Sequence, residues 1–276
     1  MSSLVVDTNL SAIAAQNALS QTDFNMTQTI QQLSTGLSVQ TAADGPSAYV
    51  QGQALQSQVN GYQAAISNSQ NGISLAQTAS GALNQISNIL QTMNQLALNS
   101  ANAATQDSTS QGANQQEFVA LQNQITQIAT STSYGTTQLL DGTFSAGMSL
   151  QIGAFSNDTS QITIAAVTLG ALGIGTASVS IGSATAAASA IQLVQNAIAS
   201  VDSIEAQVGA TQNALQAIVA NLTVGSQNLS AAHSQLVDVN MAQAMTNFST
   251  DQILMQTGTS MLQQAQQAPS LILKLI

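Results

Sequence analysis

Cationic side chains are almost missing from this chain of 276 residues, in which Lys274 is the single Lys or Arg. Charged residues make up 4 % of the sequence, against about 25 % in ordinary soluble domains. Eleven acidic residues give a formal net charge of −10 at pH 7. Because one cation cannot neutralise a phosphate backbone or an anionic lipid surface, we expect neither nucleic acid nor a membrane as a partner.

Cysteine is absent as well, which excludes disulfides and thiolate metal sites. The only histidine, His233, lies near Ser234 and Asp238 on a predicted helix, which cannot turn all three side chains toward one catalytic geometry. A metal site would need more ligands than one His and scattered carboxylates provide. We therefore predict no catalytic, cofactor-binding or metal-binding residues, and a protein that is not an enzyme.

Long apolar runs are the third feature that the sequence lacks. Gln, Asn or Ser interrupts the apolar residues every few positions, so no membrane-spanning helix is predicted. Residues 1–21 have neither a positive start nor a continuous apolar stretch, and they do not resemble a cleaved secretory signal. If the protein leaves the cell, we expect a route that does not cleave such a signal.

Heptad spacing of apolar residues is what the sequence has in abundance. The first predicted helix ends between Gly36 and Pro46, and its seam is Leu19, Asp23, Met26, Ile30, Leu33 and Leu37. A second helix is predicted from Pro46 through residues 59–97, followed by a polar loop at about 99–114. A further short helix carries Phe118, Leu121, Ile125 and Ile128.

The middle of the chain changes to an alternating pattern typical of strands. Met148, Leu150 and Ile152 alternate with polar residues, and Ile162 and Ile164 flank Thr163. Turn residues at 141–142 and 157–158 separate these segments. We predict a small β region at about 138–182.

The last part of the chain predicts one very long helix, from about Ala184 to Gln267, ended by Pro269. Its seam keeps strict three-four spacing, which argues for a coiled coil; the members are Val201, Ile204, Val208, Thr211, Leu215, Ile218, Leu222, Gly225, Leu229, Ala232, Leu236 and Val239. Near its end, apolar residues surround the helix axis. A helix that is apolar all round must be buried, and other copies of the chain are the expected cover.

Several segments, in the same order along the chain, resemble the motifs of bacterial flagellins. They are residues 8–9, 30–37, 71–78 with 81–83, 95–97 with 100–102, 134–142, and 252–262 with 265–266 and Pro269. The resemblance covers nearly the whole chain. It differs in one respect: the family motifs usually place Arg where this chain has Gln32, Ser38, Gln235 and Thr250.

The resemblance implies a mainly α fold, in which long antiparallel coiled-coil helices from both chain ends flank a small β-hairpin region. Residues 1–45 and 235–276 are expected to form an inner helical domain, and residues 46–234 a helical rod. Candidate self-assembly residues at the two ends are Leu19, Met26, Ile30, Leu33, Leu37, Met245, Phe248, Ile253, Leu254, Met261 and Leu262.

The function implied is that of a secreted subunit that polymerises into the extracellular flagellar filament for motility. Expected partners are other copies of the chain, the flagellar export apparatus, an export chaperone, and the cap and hook-junction proteins. Two alternatives are a hook–filament junction protein and a secreted helical adhesin or immune ligand. The region by which relatives contact the innate flagellin receptor resembles Thr92, Leu96 and Gln124, without the Arg and Glu of those relatives.

Overall fold

The computed structural model describes residues 9–175 and 179–273, and it confirms the predicted mainly α class with a small β region. The elements are α1 (Leu10–Thr35), α2 (Pro46–Ala101), α3 (Ser108–Ser131), β1 (Ser133–Tyr134), β2 (Thr137–Gln138), β3 (Met148–Gln151), β4 (Thr159–Ile162), α4 (Ala184–Val237) and α5 (Met241–Leu273). They form two compact units. The middle unit is residues 58–227, and the terminal unit combines the described residues up to Ser57 with those from Asn228 onward.

The core of the middle unit contains the predicted seams of α3 and α4. Val201, Ile204, Val208 and Leu215 are all buried, and the same spacing continues upstream through smaller residues. Full burial of each large aliphatic side chain contributes about 1.5–3 kcal/mol. The upstream members of the seam are Ala187, Ala190, Val194 and Ala197.

The β3–β4 hairpin docks on α2 at positions where α2 has no side chain. A Cβ atom added at Gly72 would lie 2.8 Å from Leu150 Cδ2, and one at Gly61 would lie 2.7 Å from Ala154 Cβ. Asn68 Nδ2 also donates to the Gln151 carbonyl at 3.2 Å. The strands pair in antiparallel register from Met148 with Ile162 to Gln151 with Thr159, so Ile164 lies beyond the sheet.

The polar loop predicted at 99–114 is shorter than expected, because α2 reaches Ala101 and α3 begins at Ser108. Asp107 caps α3 by accepting a hydrogen bond from the Ser110 backbone N–H. Gln111 then donates to the Ser100 carbonyl, and Asn114 donates to the Ser100 hydroxyl. Polar side chains therefore start this helix and fix it to the end of α2.

The single long helix predicted at the C-terminal end is wrong, because residues 238–240 interrupt it. Asn240 caps α5, since its side-chain oxygen accepts from the backbone N–H of Ala242 at 3.1 Å. The Val237 carbonyl bonds instead to the Ser38 backbone N–H at 2.7 Å. The seam spacing runs across this break and therefore does not reveal it.

The prediction that Pro269 ends the last helix is also wrong, because α5 continues to Leu273. Proline has no backbone N–H, so the carbonyl four residues earlier, that of Ala265, loses its usual helical donor. The Asn9 side chain supplies a replacement, with Nδ2 donating to the Ala265 oxygen at 2.7 Å.

Candidate self-assembly surface

Helices α1 and α5 pack against each other as an antiparallel pair within the terminal unit. Asn9 lies opposite Ala265, Leu19 opposite Gly258, and Gly36 opposite Val239. A Cβ atom added at Gly258 would lie 3.0 Å from Leu19 Cδ1, so the two helices approach closely there.

Buried and half-buried residues follow heptad spacing on both helices, which is typical of a coiled-coil seam. Many of these positions hold small or polar side chains, so the seam buries little apolar surface. On α1 the covered residues at this spacing are Ala12, Ala15, Leu19, Thr22, Met26, Thr29 and Leu33, and Gln28 and Gln32 beside them are also half-buried. On α5 the covered residues at this spacing are Ala244, Phe248, Asp251, Met255, Gly258, Leu262 and Ala265.

The seam predicted for α1 is therefore only partly correct. Leu19, Met26 and Leu33 lie in it, but Asp23 and Ile30 are exposed and their expected places are taken by Thr22 and Thr29. Leu37 lies outside the helix, because Gly36 ends α1 with φ +76°. It forms an isolated antiparallel bridge with Asp238.

Large apolar side chains on both helices remain exposed after the pair has formed. On α1, Leu10, Ile13 and Phe24 lie opposite the seam by helical periodicity, and Phe24 is 65 % exposed. On α5, Ile253 lies opposite the seam and is 62 % exposed, while Leu254 and Met261 share one flank. Large exposed apolar side chains grouped in this way are candidates for an interaction site.

The eleven candidate self-assembly residues fall into three groups. Leu19, Met26, Leu33, Phe248 and Leu262 are half-buried in the α1–α5 seam, and Leu37 is in the connection after α1. The five exposed members are Ile30, Met245, Ile253, Leu254 and Met261. The sequence analysis missed the exposed residues Leu10, Ile13, Phe24 and Met241, although helical spacing on the face opposite the seam could have shown those on α1.

The interruption between α1 and α2 is bonded to the one between α4 and α5. The Val237 carbonyl accepts from the Ser38 hydroxyl at 3.1 Å as well as from the Ser38 backbone N–H. In return, the Val239 N–H donates to the Gly36 carbonyl at 2.9 Å. These bonds satisfy backbone groups that the two helix ends would otherwise leave unpaired.

Electrostatic attraction contributes little to this surface, because residues 9–175 and 179–273 contain no Lys or Arg. Two positions at which the family motifs carry Arg, Gln32 and Thr250, line one polar cavity of about 330 Å³ beside the seam.

Ser234 donates to Asp238 rather than to His233, so these three side chains do not form a catalytic relay. The described residues hold no group of three metal-ligating side chains.

Carboxylates with shifted titration lie in turns and caps away from the α1–α5 seam. Backbone and hydroxyl hydrogen bonds from Thr41 lower the pKa of Asp44. Hydrogen bonds from Ser110 and from Thr143 lower the pKa of Asp107 and of Asp141, respectively. All three groups are exposed, so each stabilises only its own turn or helix start.

The three residues of the receptor-contact resemblance differ in their exposure. Thr92 and Gln124 lie at the surface of the middle unit, whereas Leu96 is 9 % exposed and packs in its core. Within residues 9–175 and 179–273, none of the helices has the length and hydropathy that crossing a membrane requires.

A helical chain whose paired ends leave large apolar side chains exposed has the kind of surface that subunits of helical assemblies present. Two family models match most of this chain: the bacterial flagellin N-terminal helical region at residues 6–145 and the C-terminal helical region at residues 191–276. The chain belongs to the bacterial flagellin family. It is a structural subunit that polymerises into the extracellular flagellar filament.

Known relatives agree with this assignment over different lengths. A flagellin from Halalkalibacterium halodurans is 35 % identical over 276 residues, which cover 99 % of this chain and 100 % of that protein. Polar flagellin F from Vibrio parahaemolyticus is 37 % identical over 164 residues, but the match covers 59 % of this chain and 43 % of that longer protein. The crystal structure of Bacillus cereus flagellin matches with a TM-score of 0.51 and 28 % identity, covering 60 % of this chain and 94 % of that one.

Proposed function

We propose that polymerisation buries the exposed apolar faces of α1 and α5 against other copies of the chain. In this proposal residues 1–45 and 235–276 form the inner helical layer of the filament, and residues 46–234 form the helical rod. The supporting observation is the set of large apolar side chains that the α1–α5 pair leaves exposed. Covering the exposed half of a Leu or Ile side chain contributes about 1 kcal/mol, and each subunit presents several such side chains.

The replacement of Leu254 by Asp tests this assignment. Leu254 is 50 % exposed on α5, and in the proposed filament it enters a dry layer, where an unpaired charge costs several kcal/mol. We expect L254D to stay monomeric at concentrations at which the unaltered protein forms filaments, as measured by sedimentation and electron microscopy.

Two control variants make the result specific. L254M keeps an apolar side chain at the same position and is expected to polymerise normally. N157D adds the same charge in the exposed β3–β4 turn and is also expected to polymerise. Equal filament yields from L254D and N157D would refute the burial of Leu254.

The remaining expectations about partners concern export and growth of the filament. We infer that the chain is secreted through the flagellar export apparatus with a chaperone, and that it meets cap and hook-junction proteins at the two filament ends. A structural role of this kind requires no cofactor and no catalysis. Secretion that continues in a strain lacking the flagellar export apparatus would contradict the inferred route.

Recognition by the innate flagellin receptor is expected to be weak. Thr92 and Gln124 replace a charged pair of the relatives, and each charge-assisted hydrogen bond is worth about 1.5–3 kcal/mol. Leu96 offers little compensation because it lies in the core. In a cell reporter assay, monomer should need a much higher concentration than a flagellin that carries both charges. Full potency would show that other residues provide the contact.

A further inference from the structure

Asn9 connects the start of α1 to the end of α5 through both ends of its side-chain amide. Its Oδ1 accepts from the Ala12 backbone N–H at 3.0 Å, which caps α1. Its Nδ2 donates to the Ala265 carbonyl at 2.7 Å. The two bonds require opposite ends of the amide, so together they define its orientation.

Before the last turn of α5, the Ala265 carbonyl is the one that lacks a helical N–H donor. An inner helical carbonyl normally accepts from the N–H four residues later, but here that residue is Pro269. Pro269 is the only proline of α5. If α1 moved by one heptad toward the start of α5, Asn9 would face the carbonyl of Gly258, which its own helix already satisfies.

Backbone bonds among Gly36, Ser38, Val237 and Val239 hold the other end of the pair in register, but the seam between that end and Asn9 resists displacement only weakly. Ala, Thr and Gly occupy many of its positions at regular three-four spacing, so a displacement by seven residues would exchange similar side chains. Coiled coils with uniform seams commonly use one polar residue to specify their register. Asn9 and the carbonyl exposed by Pro269 form a polar pair of this kind at one end of α1.

We propose that Asn9 is a positioning residue for polymerisation, which holds the first part of α1 in register on α5 through the carbonyl that Pro269 leaves free. The register determines which exposed apolar residues of α1, such as Phe24, lie level with those of α5, such as Ile253. Other copies can bind only a surface in which these residues are correctly aligned. This inference rests on the proposed role of the α1–α5 faces in assembly.

A double-mutant cycle of Asn9→Ser and Pro269→Ala tests the proposal. Serine still caps α1, but its hydroxyl is too short to reach Ala265. We expect N9S to raise the critical concentration for polymerisation about fivefold, as loss of one hydrogen bond implies. P269A restores a helical N–H to the Ala265 carbonyl, so N9S should have almost no further effect in the P269A background. An equal effect of N9S in both backgrounds, or none in either, would overturn the proposal.

Disulfide trapping measures the register itself, because the natural chain contains no cysteine. Cysteines replacing Leu19 and Gly258 lie opposite each other in the observed register. Displacement of the first part of α1 along or away from α5 would separate them, so N9S should lower the disulfide yield in filaments. An unchanged yield would show that Asn9 does not set the register.

The two tests are separable from that of the assembly surface. If the Asn9 proposal is wrong, L254D is still expected to be unable to polymerise. If L254D polymerised normally, the assignment of the α5 face would fail whatever Asn9 does.

Discussion

Truncation of either terminal helix will abolish polymerisation. Deletion of the residues after Met241 takes away α5, and deletion of those before Leu19 takes away the first third of α1 with its Asn9 cap. Each helix provides the main intramolecular cover for the seam of the other. An isolated helix without that cover is marginal in water, and the apolar faces needed by other copies are lost with it.

Both truncated proteins are expected to remain soluble monomers, with a folded middle unit, in sedimentation and circular dichroism experiments. The core of that unit is formed within residues 58–227 and does not depend on α1 or α5. Retention of the middle-unit melting transition therefore serves as the control for folding. Ordinary filaments from either truncated protein would show that the terminal pair is dispensable.

The filament will persist in strong acid, where a flagellin of ordinary charge content dissociates. Most carboxylates are neutral below about pH 3, and the basic groups of this chain are only Lys274, His233 and the amino terminus. The net charge therefore goes from −10 at pH 7, through zero near the sequence pI of 4.1, to a small positive value. Acid reduces the magnitude of the charge on each subunit, so repulsion between neighbouring copies decreases.

Protonation of carboxylates destabilises the folded chain only at a few exposed turns and one helix start. The pKa values of Asp44, Asp107 and Asp141 are lowered in the folded chain. Their stabilising effect is therefore present above the unfolded pKa, near 3.8, and is lost as the pH falls through the lower folded value. These groups cap α3 or close exposed turns, so their protonation loosens local structure without exposing the seam.

Filament length measured by light scattering and microscopy from about pH 7 to about pH 2 tests this expectation. The comparison is a flagellin with ordinary numbers of Lys, Arg, Asp and Glu under the same ionic conditions. We expect the filament of ordinary charge content to shorten as its carboxylates are protonated, while the filament of the present chain keeps its length. Disassembly of both at the same pH would show that the scarcity of charge has no role in acid stability.

The sequence predicted most accurately the elements whose covered faces carry large aliphatic side chains. On α4, Val201, Val208 and Leu215 stand out from their polar neighbours, so periodicity identified the buried face. On α1 the covered face is largely Ala and Thr, whereas Ile30 and Phe24 are exposed. Hydrophobicity alone therefore assigned part of the wrong face, because some of the most apolar residues of α1 are exposed in the subunit.

The two wrong predictions about the C-terminal helix, that it is unbroken and that Pro269 ends it, have a common physical cause. A helix break at residues 238–240 and a helix continuing past Pro269 both depend on hydrogen bonds to the opposite end of the chain. Ser38 stabilises the first by donating to Val237, and Asn9 stabilises the second by donating to Ala265. Local sequence signals cannot report such long-range partners, although the capping residue Asn240 was a visible indication of the break.

Methionine oxidation before and after polymerisation tests the central claim most directly. Met245 and Met261 are exposed on α5, and peroxide converts exposed thioethers to sulfoxides that mass spectrometry can quantify. Met93, in the core of the middle unit, and the exposed Met148 provide the protected and accessible references. If other copies cover α5, Met245 and Met261 will react like Met148 in the monomer and like Met93 in the filament. Unchanged oxidation rates at both residues in the filament would contradict burial of the α5 face.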